Sequence, residues 1–177
     1  MAPPPESPAD FTASDVLSPD YWAGRPALRP VPGLDVACTK IAVEFQNIRR
    51  DNAPDCIRSN LELLRESVDC DCAFIAVLSP GGASVQDVHL SRGAFVQCRP
   101  EELRGELVES WPWLKGRLDH LRLTEIRDTS DPRPGQITEA QRLASLHVGS
   151  AVLVAFHVQG VPAGIIGVCQ VVPRGNW

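Results

Sequence analysis

Apolar residues recur at helical spacing in the first half of the chain. Two successive stripes have the i, i+3 or i+4, i+7 spacing of an amphipathic helix. They consist of Cys38, Ile41, Phe45 and Ile48, and then of Ile57, Leu61, Leu64 and Val68. The polar segment 51–54 interrupts the pattern between them. Asn52 is predicted to cap the second helix, with Pro54 in its first turn.

Four further segments have the composition of β-strands and fall into two pairs. The apolar run 72–78 predicts a strand covered on both faces, and the partly alternating segment 84–91 predicts its hairpin partner after a Gly-Gly turn. Segments 151–158 and 161–172 are rich in β-branched residues and predict a second hairpin that turns at Gln159-Gly160.

Shorter elements are predicted between the two hairpins. Pro100–Glu102 has the proline and the acidic residues of a helix start. Helical spacing returns at Leu114 and Leu118, after Trp111-Pro112-Trp113, and a short strand is predicted within 121–126.

A last helix is predicted between the polar loop 127–136 and Gly149. Thr138-x-x-Gln141 has the spacing of a capping box at its start. Its predicted buried face consists of Ala140, Leu143, Ala144 and His147. Because the strands come in hairpins among helices, the sequence predicts an α+β fold: a central antiparallel sheet of five to six strands with helices packed on it.

The composition is that of a globular protein and changes near residue 35. The 177 residues correspond to about one domain, and 44% of them are hydrophobic. Half of the 16 prolines lie in residues 1–34, which predicts a disordered leader before a domain at 35–177. No apolar run reaches the length of about 20 residues that a membrane helix needs, and no secretory signal is evident. A cytoplasmic protein without a membrane partner is therefore expected.

Charge and cysteine content argue against several function classes. A net charge of −5 without a basic stripe does not favour nucleic acid as a partner. The six cysteines are too sparse for a disulfide scaffold, and Cys70-x-Cys72 lacks a second pair at metal-site spacing. No Walker A loop, Gly-x-Ser-x-Gly elbow or His-Glu-x-x-His helix is present, so neither a metal site nor an enzyme is predicted.

Three stretches carry a resemblance to a known family. They are DCDCAFIAVL, SWPWLKGRLDHLRLTEIRDTSD and EAQRLASLHVGSAVLVAFHVQGVPAGIIGVCQ. In this order they resemble the GAF domain, a sensory module of bacterial-type signalling proteins, over about residues 35–177. A PAS domain also presents a sheet with a pocket, but the helix pair before the first strand and the closing hairpin favour GAF. The chain lacks the family's usual arginine before the first core strand and its C-terminal helix, so a fragment of a longer protein is expected.

The resemblance implies a ligand pocket between the sheet and the mid-chain segment. The candidate ligand-binding residues are Phe74, Phe95, Trp111, Trp113, His120, Arg122 and Arg127. Indole faces stack on planar rings or cations, and an arginine fork binds carboxylates or phosphates. The competing interpretation is core packing for the two tryptophans and surface positions for His120 and the arginines. Bilin-binding GAF domains use a Cys-His dipeptide that this chain lacks, and the cofactor stays unassigned.

Two functions follow from the resemblance. The first is a regulatory sensor, in which an unidentified small molecule shifts the helix pair and biases a C-terminal output domain by population shift. A homodimer through the N-terminal helix is expected in that case. The alternative is a pocketless GAF-like module that serves dimerisation or another interaction. A thiol enzyme using Cys98 would lack an obvious resolving cysteine.

Overall fold

The computed structural model describes residues 34–49, 51–93, 96–97, 102–118 and 123–173. The helices in these ranges are α1 (Leu34–Gln46), α2 (Ala53–Ser67), α3 (Pro112–Leu118) and α4 (Ile137–Ser145). The strands are β1 (Cys72–Leu78), β2 (Val85–Arg92), β3 (Leu123–Ile126), β4 (Ser150–Val158) and β5 (Val161–Gln170). All but the last residue of the predicted leader lies outside the described residues. None of the described helices is both long and apolar enough to cross a membrane.

The strands form one sheet in the order β2-β1-β5-β4-β3, and all neighbours are antiparallel. The predicted α+β class is confirmed, as are both hairpins. Strand β1 has the predicted bounds, because an apolar run between turn residues has few other ways to be buried. In the second hairpin, Gln159 and Gly160 have φ values of 53° and 80°. Two consecutive positive φ values are what a type I′ hairpin turn requires.

Helix α2 covers one face of the sheet, where it packs against β1 and β2. Pro54 stands in its first turn, as predicted. Asn52 occupies the N-cap position, as predicted, but its side chain makes no bond to the helix, and its Oδ1 accepts a hydrogen bond from the backbone N–H of Arg49 at 2.6 Å. Nε of Arg65 donates to Oγ of Ser91 on β2 at 3.4 Å, which fixes the face that α2 occupies.

The side chains of alternate strand residues lie on the opposite face of the sheet, which α3 and α4 cover. Phe74, Gly167 and Leu153 are register partners across β1, β5 and β4 on this face. A Cβ atom at Gly167 would lie 2.6 Å from Cδ2 of Leu153 and 2.8 Å from the Phe74 ring. Glycine at this position therefore lets both apolar side chains lie directly over β5.

The segment after β2 differs from its prediction. The helix expected to start at Pro100–Glu102 does not continue in the described residues, where 103–105 form a turn and Val108–Ser110 a 3-10 helix. The backbone N–H of Val108 donates to the carbonyl of Ala83 at 2.9 Å. The segment pairs with the start of β2, and this tertiary pairing replaces the helix.

Helix α4 begins at Ile137, so the predicted capping box is wrong. Gln136 occupies the N-cap position and Thr138 lies inside the first turn. The side chain of Gln136 is buried and donates instead to the carbonyl of Glu125 in β3 at 3.1 Å. The N-cap side chain is therefore bonded to the edge strand β3 and not to the helix.

The buried face of α4 is also rotated from the predicted one. It consists of Glu139, Ala140 and Leu143, continued by Leu146 after the helix. Ala144 and His147 are exposed, contrary to the prediction: Ala144 lies about 40° outside this stripe, and His147 follows the end of the helix with a positive φ of 59°.

Candidate functional site

A cavity of about 80 Å³ lies between the sheet and the segment that includes α3 and α4. Its sheet side includes Phe74, Ala76, Leu153 and Ile165. Its cover includes Leu103, Val108, Trp111, Leu114, Leu118, Leu143 and Leu146. The walls are apolar because β-strand alternation directs one set of side chains inward and α3 and α4 present their buried stripes to them.

The size of the cavity limits what it can hold in this conformation. An apolar cavity of about 150 Å³ stays dry and binds benzene, whereas drug-sized ligands occupy about 300–1,000 Å³. The cavity in this chain has about half the volume of that benzene-binding cavity. It is suited to a very small apolar molecule, or to a larger one if a wall residue moves.

Glu106 is the one charged residue among the described residues that line the cavity. Its Oε2 accepts a hydrogen bond from Nε1 of Trp111 at 3.0 Å, and its Oε1 accepts one from Nε of Arg142 at 2.6 Å. Arg142 also donates to the backbone carbonyl of Glu102 at 3.3 Å. Glu106 thus joins a tryptophan of the cavity wall to helix α4.

Glu139 makes a second polar connection from α4 to the cavity cover. Its Oε1 accepts hydrogen bonds from the backbone N–H groups of Trp113 at 2.7 Å and Leu114 at 3.3 Å. These two groups lie in the first turn of α3, where no carbonyl of that helix can reach them. Glu139 is only 1% exposed, and its Oε2 has no hydrogen-bond partner among the described residues.

This architecture is matched among solved structures, whereas protein-family models and curated proteins give no match. The phycoerythrobilin-bound GAF domain from a cyanobacterial phytochrome aligns with a TM-score of 0.61 at 16% identity, over 79% of this chain and 82% of that one. The phycocyanobilin-bound GAF domain from a cyanobacterial phytochrome gives 0.62 at 17%, over 79% and 81%. The chain has the GAF fold.

A third GAF domain, that of PixJ from Thermosynechococcus elongatus in its blue-light absorbing form, gives a TM-score of 0.51 at 16% identity. The alignment covers 76% of this chain and 75% of that domain. The resemblance stated from sequence motifs is confirmed at the level of the fold. Identities this low carry no information about the ligand of this chain.

The GAF fold brings some of the predicted ligand-binding residues together and separates others. Phe74 and Trp111 line the cavity. Trp113 packs against the core beside the cavity, with the Arg117 guanidinium 4.6 Å from its ring centroid. Arg127 is not among the lining residues. The remaining three candidates, Phe95, His120 and Arg122, lie outside the described residues.

Arg127 lies on the other side of the sheet from the cavity. Its Nε donates to Oε2 of Glu125 at 2.8 Å. Glu125 pairs with Val152 across β3 and β4, whereas its neighbours Thr124 and Ile126 pair with Leu153 and Ala151 on the cavity side. The ion pair is partly exposed and stabilises the protein little.

Sequence reasoning missed the three charged residues that hold the cover of this GAF cavity. Glu139 and Arg142 carry a signal that could have been used, because they stand among apolar residues on a short helix. Glu106 has no such signal, since its partners are 5 and 36 residues away in the chain. Only the folded chain brings these groups together.

Three buried cysteines, Cys70, Cys72 and Cys169, lie near the end of the β1–β5 pairing. Cys72 and Cys169 are register partners and both line the cavity. Burial, reinforced by the neighbouring Cys169, raises the pKa of Cys70 to about 11. A protonated, buried thiol is a poor nucleophile. Within the described ranges, no group of three or more His, Cys, Asp or Glu residues could hold a metal ion, and Cys98 lies outside them.

Proposed function

We propose that this chain is a regulatory GAF-type sensor module that binds a small molecule and transmits a conformational signal to the output domain of a longer signalling protein. In this proposal it acts in the cytoplasm, has no catalytic activity, and is preceded by the Pro-rich leader of residues 1–34. The carrying observation is the apolar cavity whose cover is tied to helix α4 through Glu106 and Glu139.

The connection between cover and helix supports signalling as well as binding. A ligand that enters beside Trp111 changes a residue that shares Glu106 with Arg142 of α4. Ligand occupancy and helix position are then linked, and the strength of the coupling equals the difference in ligand affinity between the two arrangements.

A bilin does not fit the residues present, although several structurally similar GAF domains are bilin-bound. A linear tetrapyrrole is drug-sized or larger, and the cavity is several times smaller than such ligands require. We therefore propose a ligand much smaller than a tetrapyrrole and mostly apolar.

The second candidate function is a pocketless GAF-like dimerisation or interaction module. It is favoured by the small volume of the cavity and by apolar residues exposed on α1, where Val36 and Val43 are 54% and 52% exposed. A homodimer through this helix would cover them. The sensor is preferred because the chain encloses an apolar cavity whose wall residue Trp111 is connected to α4 through Glu106.

Thermal unfolding of the full chain with small metabolites, from amino acids to cyclic nucleotides and single-ring aromatics, tests the proposal. A ligand present at 100 times its Kd adds about 2.7 kcal/mol of apparent stability, which raises the Tm by a few degrees. The sensor proposal predicts such a shift for a single-ring compound and none for cyclic nucleotides. A Tm that depends only on protein concentration would support the dimerisation module instead.

Two variants in which an alanine is replaced by leucine show whether the ligand that raises the Tm binds in the cavity. Ala76→Leu directs three extra carbon atoms into the cavity and should abolish the ligand-induced rise in Tm. Ala163→Leu adds the same atoms near the second hairpin turn, away from the cavity lining, and should leave the rise unchanged. Equal effects of the two substitutions would contradict a site in this cavity.

A further inference from the structure

Glu106 lines an otherwise apolar cavity, but its carboxylate oxygens do not face the cavity, because Trp111 and Arg142 cover them. The other described side chains that line the cavity are those of leucine, isoleucine, valine, phenylalanine, alanine and tryptophan, with two buried cysteines. The side chain of Glu106 is 20% exposed, so it is largely removed from water. A carboxylate in such surroundings needs hydrogen-bond donors, and losing one is costly.

Both oxygens of this carboxylate are occupied by the chain itself. Arg142 occupies Oε1 at 2.6 Å, and the indole N–H of Trp111 occupies Oε2 at 3.0 Å. Arg142 balances the charge of Glu106, so the pair presents no net charge to a ligand. Oε2 then receives one hydrogen bond from a neutral donor, the N–H on the aromatic ring of Trp111.

We propose that Glu106 makes the cavity selective for small neutral aromatic molecules that carry one O–H or N–H donor, of the phenol or indole class, and that such a ligand replaces Trp111 at Oε2. This inference rests on the proposed sensor function and names its ligand class. Trp111 is half-buried and borders the cavity, so its departure enlarges the space available from about 80 Å³.

The selectivity follows from what each type of ligand leaves unsatisfied. A neutral donor displaces Trp111 and restores the hydrogen bond to Oε2. A hydrocarbon of the same size displaces Trp111 without replacing the bond and leaves a buried acceptor unpaired. A carboxylate ligand has no donor for Oε2, so its binding would place two acceptors against each other and leave both without a hydrogen bond. Hydrogen bonds to charged groups are strong enough to separate the first two classes by about tenfold or more.

The test is an NMR titration of the full chain with phenol, toluene and benzoate, following the indole N–H resonances. The Trp111 resonance is assigned by its loss in Trp111→Phe, and that of Trp113 serves as an internal reference beside the cavity. We expect phenol to bind at least about tenfold more tightly than toluene and to move the Trp111 resonance toward the position of a solvent-exposed indole. Benzoate should not bind.

Two glutamate variants examine the role of the carboxylate directly. Glu106→Gln keeps an acceptor but leaves the Arg142 charge unbalanced, so it should retain phenol binding and gain benzoate binding. Glu109→Gln alters an exposed carboxylate three residues away that pairs with Lys115, and it should leave all three affinities unchanged. The Tm of each variant without ligand verifies that it is folded.

The outcomes separate this inference from the proposed function. If phenol and toluene bind with equal affinity, or if a ligand binds while the Trp111 resonance stays in place, the inference is wrong and the cavity remains a binding site. If none of the three compounds shifts any cavity residue, both the inference and the proposal of a small aromatic ligand are overturned.

Discussion

Oε1 of Glu139 lies 2.7 Å from the backbone nitrogen of Trp113, and the carboxylate is buried where helix α3 begins. The preceding Pro112 has no N–H, and the N–H of Lys115 reaches the Trp111 carbonyl at 2.7 Å. With Trp113 and Leu114 both donating to Glu139, every donor in the first turn of α3 is satisfied. A side chain from α4 thereby holds the helix that covers the cavity.

Removing the Glu139 carboxylate should destabilise the protein by an amount typical of buried polar groups that lose their hydrogen-bond partners. Glu139→Ala leaves two buried backbone N–H groups without acceptors, which costs about 1–3 kcal/mol. Glu139→Gln retains one oxygen acceptor and should cost less. Denaturant unfolding measures both, with Glu62→Ala on the exposed side of α2 as the control, expected within about 0.5 kcal/mol of the parent protein. Equal stability of Glu139→Ala and the parent would refute the capping role.

A methyl group at Gly167 should strain the sheet side of the cavity. The new Cβ in Gly167→Ala would press on Leu153 and the Phe74 ring, at 2.6 and 2.8 Å. Overpacking of this kind costs about 1–3 kcal/mol. Gly116→Ala in α3 is the matched control, because its Cβ meets nothing within 4 Å. It should be neutral or stabilising by up to about 1 kcal/mol, given the higher helix propensity of alanine.

Stability at acidic pH should depend on Asp87 of β2. Partial burial alone would raise its pKa, but the backbone N–H of Val88 and the guanidinium of Arg104 lower the pKa of this carboxyl below its usual range. Its contribution to stability is present above the unfolded-state pKa of about 4 and is lost as the pH falls toward the lower folded-state pKa.

Asp87→Asn and Arg104→Gln should both weaken this acid dependence. Measured by denaturant unfolding at pH 6, 4 and 2.5, each variant is expected to lose less stability on acidification than the parent protein. The effect should be small because the Asp87 side chain is 40% exposed. Variants as acid-sensitive as the parent would show that the ion pair makes no contribution.

The thiols should differ sharply in their reaction with alkylating reagents. Cys38 is exposed, whereas Cys70, Cys72 and Cys169 are buried and the pKa of Cys70 is raised to about 11. At pH 8, maleimide should label Cys38 rapidly and the three buried cysteines only after unfolding, as followed by peptide mass spectrometry. Rapid labelling of Cys70 in the folded protein would contradict its described environment.

The raised pKa of Cys70 also predicts a loss of stability in alkali. The unfolded thiol ionises near pH 8.5, whereas the folded one stays protonated up to about pH 11. The stability that this group contributes is therefore complete below the unfolded-state pKa and decreases as the pH rises toward 11. Cys70→Ala should reduce the decrease in unfolding free energy between pH 8 and pH 10.

Local sequence patterns were sufficient to predict the strands. They were not sufficient to predict the side chains that connect one helix or strand to another. The bounds 72–78 and the turn at Gln159-Gly160 follow from an apolar run and from turn chemistry, which depend on neighbouring residues. The start of α4 was mispredicted because Gln136 is committed to a carbonyl of β3, 11 residues earlier in the chain.

The cavity could be anticipated in part, through Phe74 and Trp111. Arg127 was assigned to the pocket because it lies in the mid-chain segment, but which face of the sheet a residue beside a strand occupies depends on register, and register comes from the partner strand. Glu106 and Arg142 meet across 36 residues of sequence. A contact between residues so far apart produces no periodic pattern in the sequence, so only the folded structure reveals it.

The most direct test of the account is to locate a bound ligand on the full chain. Isotope-edited NMR with phenol in excess should give intermolecular nuclear Overhauser effects to Phe74, Leu114 and Leu153, which line the cavity. Effects confined to exposed apolar residues, such as Val36 of α1 or Val158 beside the second hairpin turn, or no effects at all, would contradict a ligand-binding site between the sheet and helices α3 and α4.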